Sequence, residues 1–169
     1  MLKLTGLFLA FIAAAYASEY KITLISGNVV QGKNAKGVVI NAKKDHKEIE
    51  WQEKFDNDNS LTVHYMQVSE STGQAEYVKI DNLCNKYESG TLEHAIKHFV
   101  LKKFGKSDKC SIKKRNVKVK FPIKFEFQGT EENTICGPTI GTFYITRNND
   151  PNLLFSSWLR GSITGEDCK

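Results

Sequence analysis

Two histidines stand four residues apart, at His94 and His98, with Glu93 beside the first. On a helix that spacing puts both imidazoles on one face, the geometry of a pair of metal ligands. The metalloprotease pattern H-E-x-x-H needs its glutamate directly after the first histidine, and Ala95 occupies that position. No third ligand is evident, so a surface pair that changes charge between pH 5 and 8 is the simpler reading. The carboxylate pairs Asp56/Asp58 and Glu131/Glu132 lie in polar, turn-like stretches, where they are solvated and not poised for proton transfer. No G-x-S-x-G nucleophile elbow is present, and "GTFYITRNND" has too few glycines for a phosphate loop. Nothing in the sequence argues for an enzyme, a metal or a cofactor.

The chemistry that does stand out is that of Cys84, Cys110, Cys136 and Cys168. They are widely spaced, with no C-x-x-C pair, which disfavours zinc. The first stretch, "MLKLTGLFLAFIAAAYA", has the pattern of a signal peptide: Lys3 as the positive start, an apolar core too short to span a bilayer, and Ala15 and Ala17 as a small-x-small cleavage site. Residues 1–17 are therefore expected to be removed and 18–169 to form one secreted, extracellular domain. In an oxidising compartment the four cysteines form two disulfides, and spacing alone leaves all three pairings open.

The chain has 169 residues and a formal net charge of +5, with lysines scattered along it and one local run in "KCSIKKR". That reads as a solvated positive face; contact with an acidic lipid surface fits as well. Nucleic acid is excluded as a partner, because no basic stripe with aromatic platforms is present on a known module.

These residues must be positioned by strands. "EYKITLI" alternates Tyr20, Ile22 and Leu24 against polar neighbours, and "GVVINAKK" is a second strand. "DHKEIEWQEKF" fits strand or helix, with Ile49, Trp51 and Phe55 facing inward from a strand. "LTVHYMQVS" and "AEYVKIDNL" form a hairpin that puts Val63 and Tyr65 on one face, His64 and Met66 on the other. The one convincing helix opens near Ser89 and Thr91 and ends at Gly105, with Leu92, Ile96, Phe99 and Lys103 in one stripe. "NVKVKFPIKFEF" alternates Val117, Val119, Phe121, Ile123, Phe125 and Phe127 on a dry face. Pro122 cannot donate to a ladder, so this strand is an edge there or kinked. "IGTFYITRN", the "NNDPN" turn and "LLFSSWLRGSI" close the chain. Seven to nine strands and one helix predict a mainly β fold, an antiparallel β-sandwich or β-cup with the helix on its side. Periodicity cannot separate a packed core from a lined cavity.

The order of features resembles that of the ganglioside-activator family and its secreted insect relatives, in the ML-type lipid-recognition superfamily. A cysteine closes a strand in "IDNLC", a helical segment follows, and a second cysteine opens the strand in "CSIKKRNVKVKFPIKFEF". Pro138, Gly141 and Tyr144 follow in a P-x-x-G pattern, and "SWLRGSI" ends the chain. The likeness covers roughly 62–163. Ser111 stands where the family has proline, and the extra cysteines of the mammalian activator are missing. The resemblance implies the pairs Cys84–Cys110 and Cys136–Cys168. It also implies a cup whose two sheets splay around an apolar pocket, here lined by Phe99, Val119, Phe121, Ile123, Phe125, Phe127, Phe143, Ile145, Phe155 and Trp158.

Such a protein is a carrier. It binds a lipid or other hydrophobic small molecule and presents it at a membrane surface or receptor, in chemosensation or extracellular lipid handling. The competing reading is a secreted β-sandwich with a closed core that binds another protein, as an immune, venom or salivary factor. Expression through a secretory pathway should release a chain beginning at Ser18; an intact-mass measurement that retains residues 1–17 would refute the cleavage site.

Overall fold

The computed structural model describes residues 18–130, 134–148 and 150–168. The expected leader 1–17, the pair Glu131/Glu132 and Asn149 of the "NNDPN" turn lie outside the described residues. Nine strands are described: β1 (Ser18–Gln31), β2 (Val38–Ala42), β3 (Lys47–Trp51), β4 (Leu61–Ser69), β5 (Ala75–Ile80), β6 (Arg115–Val119), β7 (Ile123–Gly129), β8 (Gly137–Arg147) and β9 (Leu153–Gly165). The helix α1 (Leu92–Phe99) runs directly into a π-helical turn, Val100–Phe104. The expected mainly β, antiparallel architecture with one helix is what the molecule has.

Six strands in the order β5-β4-β8-β9-β1-β7 make a large sheet that curls into a half-barrel, and β2-β3-β6 make a small second sheet. Every pairing is antiparallel. The β4–β5 hairpin forms as expected, with Val63 and Tyr65 buried inside and Met66 exposed outside. The ambiguous "DHKEIEWQEKF" resolves as strand β3, with Ile49 and Trp51 buried.

The curl of the large sheet needs close strand approach. At Gly161 on β9, a Cβ would lie 2.2 Å from the carbonyl oxygen of Thr23 on β1, so no larger residue fits there without shifting the strands. A register shift between Leu24 and Ser26 bends β1 at the same level, which increases the local twist.

One expectation needs correction. "NVKVKFPIKFEF" is two strands, not one: β6 lies in the small sheet and β7 in the large one, with Lys120–Pro122 as the crossover. Pro122 accounts for the break, because it has no N–H for a ladder. Each half is an edge strand of its sheet, in keeping with that residue.

The helix also differs in detail. Thr91 is its N-cap, its hydroxyl accepting from the His94 N–H, whereas the Ser89 hydroxyl donates to Gln128 on β7. The π-helical turn adds a residue to the backbone ring, and Gly105 N–H bonds back to the Val100 carbonyl at 2.9 Å. Val100, Leu101 and Phe104 are buried together, and Lys103, placed in the apolar stripe by simple helical spacing, is only partly covered.

Two disulfides are present, Cys84–Cys110 and Cys136–Cys168, the pairs that the resemblance implied. The first encloses the helix. Each stabilises by roughly 2–4 kcal/mol through restriction of the unfolded chain. A buried hydrogen bond complements it: Trp51 Nε1–H donates to the Phe104 carbonyl at 2.8 Å. Carbonyls in the last turn of a helix lack intrahelical partners, and this indole supplies one. Trp51→Phe should lower stability by about 1–3 kcal/mol, because the carbonyl is left buried and unpaired. Urea denaturation should show a lower midpoint with an unchanged slope; an unchanged midpoint would mean that water or another donor replaces the indole.

Candidate functional site

α1 touches both β5 and β7, the two edge strands of the large sheet, and so lies across the open side of the half-barrel. Its apolar face is continuous because Ala95, Ile96 and Phe99 fall at helical spacing and all are buried. Phe99 is 5% exposed and sits at the centre of a ring cluster: 5.3 Å from Phe143, 5.4 Å from Phe125 and 5.5 Å from Phe104, centroid to centroid.

Beneath the helix lies a cavity of about 40 Å³. Its walls come from β1, β4, β7, β8, β9 and α1, with no residue from the small sheet. The apolar site is thus inside the curl of one sheet, not in a gap between two splayed sheets. Gly141 contributes to the space: a Cβ there would stand 3.0 Å from the Tyr65 ring. The polar atoms in the wall are matched to each other. The Tyr65 hydroxyl donates to Gln67 Oε1 at 2.7 Å, and the Gln67 amide donates to the Ile135 carbonyl at 3.4 Å. Burial pushes the Tyr65 hydroxyl well above the ordinary tyrosine range, so it stays a neutral donor. Ligand pockets typically measure about 300–1,000 Å³. This interior is therefore nearly filled by the protein's own side chains.

Of the ten residues expected to line a pocket, Phe99, Phe125, Phe127 and Phe143 do so. Ile123 is buried on β7 beside them, outside the wall. Ile145 and Phe155 belong to the deeper core, where Phe155 packs on Trp51 at 5.9 Å and on Phe104 at 5.8 Å. Val119 is buried on the small sheet, and Phe121 sits at the crossover against Gly27. Trp158 does not fit: it is 45% exposed on the outer face of β9. Residues of a regular strand three apart face opposite ways, so with Phe155 inward Trp158 must point outward. Ile96, Leu92 and Ala95 of α1 and Ile22, Leu159 and Ile163 of the sheet line the cavity without having been singled out. Their alternation marked them as interior but nothing in it separates a wall from a core.

Two clefts flank the helix. The one toward β7 measures about 360 Å³ and shares Ala95, Phe125 and Phe127 with the central cavity. Its helix wall carries His94, His98 and Lys102; its strand wall carries Glu19, Glu126 and Gln128. The imidazole centroids are 4.4 Å apart. Burial pushes both below the ordinary histidine value; Lys97 adds to this for His94, and His94, Lys102 and Lys97 add to it for His98. At neutral pH both rings are uncharged. The described residues contain no cluster of three or more metal-ligating side chains.

The cleft toward β5 measures about 300 Å³ and is lined by Glu76, Tyr77, Val78, Thr91, Leu92 and Glu93. Glu76 points inward from the edge strand, and its Oε2 is buried with no hydrogen-bond partner among the described residues. Burial raises its pKa. An inward carboxylate on an edge strand discourages pairing with a second sheet.

The outer face of the large sheet carries a row of exposed apolar side chains. Tyr77, Met66 and Trp158 lie at one level of the sheet, joined through Met66↔Tyr77, Met66↔Thr142 and Thr142↔Trp158. Tyr77 is 61% exposed, and its hydroxyl meets His64 Nδ1 at 2.6 Å. Tyr144 and Val30 extend the row at the next level. Comparison with known proteins finds no family model that matches the chain and no matching curated protein.

Glu76→Gln should raise stability at neutral pH. The native carboxyl holds its proton more tightly than the unfolded one, so below the ordinary value of 4.5 both states are protonated and its burial is harmless. As pH rises through the raised native pKa, the buried charge becomes a penalty. The stabilisation by glutamine should therefore be present at pH 7 and vanish toward pH 4. Equal urea midpoints for the two proteins at pH 7 would show that Glu76 is fully hydrated.

Proposed function

We propose that the protein is a secreted carrier of a lipid or other hydrophobic small molecule, akin to the ganglioside-activator family, and that α1 is the plug of its binding site. The observation that carries this reading is the helix laid across the mouth of a curled sheet, over an apolar cavity, with a cleft along each side. The two disulfides are compatible with an extracellular life. In the closed form Ile96 and Phe99 occupy the place a ligand would take.

Magnitudes favour such an exchange. Exposing Ile96 and Phe99 costs about 1.5–3 kcal/mol each. An acyl chain returns about 0.8 kcal/mol for every methylene buried, so a chain of about four to eight methylenes offsets the cost of withdrawing the plug. The hinges are in place: Gly90 precedes the helix with φ 87°, and Gly105 follows the π-helical turn. The Cys84–Cys110 bridge keeps the withdrawn segment tethered.

The outer row of Tyr77, Met66 and Trp158 favours a second reading, a protein-binding β-sandwich with a closed core, because exposed apolar patches mark interaction sites. The two readings use opposite faces of one sheet and are separable. Lipid mass spectrometry of natively purified protein should find a bound apolar molecule, and a fluorescent fatty-acid probe should be displaced by it. Phe99→Ala should cost about 3–5 kcal/mol of stability yet bind the probe more tightly, since it removes part of the plug. Phe125→Asp should abolish probe binding in protein that remains folded by circular dichroism, and Trp158→Ala should leave it unchanged. If wild type carries nothing and displaces no probe, the carrier reading fails and the outer face becomes the functional one.

A further inference from the structure

Each cleft beside α1 carries two carboxylates, and the one toward β7 adds a lysine and two imidazoles. The β5 cleft presents Glu76 and Glu93 and no cation. The β7 cleft presents Lys102 with His94 and His98 beside it. Lys102 is exposed and makes no ion pair among the described residues. On the opposite wall, Glu126 is held by Lys21 at 2.8 Å, and Gln128 Oε1 accepts from the Ser89 hydroxyl at 2.7 Å. Glu19 is the remaining carboxylate of that cleft. The apolar continuity also lies on this side, because Phe125, Phe127 and Ala95 form walls of both the cleft and the central cavity. On the β5 side Leu92 is the shared residue.

We infer that the β7 cleft takes the anionic headgroup of a single-chain amphiphile whose tail lies in the cavity, with Lys102 supplying the charge and His94 and His98 supplying ring N–H donors. This deepens the carrier reading and rests on it. A tail entering beneath Ala95 and running along Phe125 and Phe127 leaves its head between the helix row 94, 98, 102 and the edge of β7. A carboxylate or phosphate there meets Lys102 and two imidazoles on the helix wall, and faces Glu126, which Lys21 neutralises, and Glu19. At the β5 cleft the same group would meet two carboxylates and no cation. The ligand class is therefore a fatty acid or a lysophospholipid-like alkyl phosphate. A sterol or a neutral diglyceride has no anionic group for Lys102 to pair with.

The test uses one tail and three heads. Laurate, dodecanol and dodecyltrimethylammonium, each below its micellar concentration, compete for a neutral fluorescent lipid probe on the disulfide-intact protein. Laurate should displace it most effectively. Lys102→Glu, at an exposed position, should weaken laurate about fivefold and leave dodecanol unchanged. His94→Phe with His98→Phe should weaken laurate in the same direction and also leave dodecanol unchanged. Acetate and inorganic phosphate should not displace the probe, since a free anion lacks the tail. If the three twelve-carbon competitors displace equally, or Lys102→Glu leaves laurate untouched, the headgroup site is overturned while the carrier stands. If none displaces the probe, or the probe does not bind, the carrier reading itself falls and the headgroup site with it. If phosphate alone displaces as well as laurate, the cleft is a simple anion site and the amphiphile is excluded.

Discussion

The structure depends on what happens at Phe104. Its carbonyl accepts the Trp51 indole N–H, and its ring lies within 5.5–5.8 Å of Phe99, Phe143 and Phe155. One residue thereby joins the small sheet, the helix and the large sheet. The disulfide Cys84–Cys110 limits how far the helical excursion can stray, but it sits at the base of that excursion and does not set its depth. Depth is set by Phe104 and Trp51, both essentially inaccessible to water. The hydrogen bond contributes roughly 0.5–1.5 kcal/mol net, and its loss costs more because the carbonyl has no water to turn to. The π-helical turn continues directly from α1 and carries Val100, Leu101 and Phe104, all buried.

That anchoring divides the interior into two unequal parts. Toward the small sheet, Trp51, Phe55, Phe104 and Phe155 interlock edge to face. Toward the open side of the half-barrel, Phe99, Phe125 and Phe143 meet the helix over a residual void. The first part secures the fold whatever the second does. The helical segment is held at its C-terminal end through Phe104 and, just before its N-cap, by the hydrogen bond from the Ser89 hydroxyl to Gln128 on β7.

Much of this was legible in the sequence. Period-two alternation identified the inward residues of β1, β4 and β8, and the helical stripe identified Ile96 and Phe99 as interior. The break in "NVKVKFPIKFEF" was not legible from alternation, because Val119, Phe121 and Ile123 stay in phase across it while the strand changes sheets. Pro122 was the only local sign, and it signals an edge or kink without saying which. Trp158 failed for a different reason. "LLFSSWLRGSI" contains two apolar frames offset by one residue, and only the long-range partners of β9 decide which frame faces inward. The distinction between cavity wall and core was out of reach altogether, since it depends on whether Gly141 and Phe99 leave space opposite each other.

The near-closure of the cavity bears on how such a protein binds at all. A permanently open apolar pocket of ligand size would forfeit dispersion contacts along its whole lining and destabilise a small domain. Filling that space with Ile96 and Phe99 of α1 avoids the loss. Under the proposed carrier reading, stability and affinity would compete within the same residues: whatever strengthens the packing of Ile96 and Phe99 would also raise the work a ligand must do to enter. The charges beside the helix act outside this competition. Lys102 and the two imidazoles line the cleft toward β7, outside the central cavity. Under the proposed carrier reading, selectivity by headgroup and affinity by tail would then be separate properties, set by separate residues of one short helical segment.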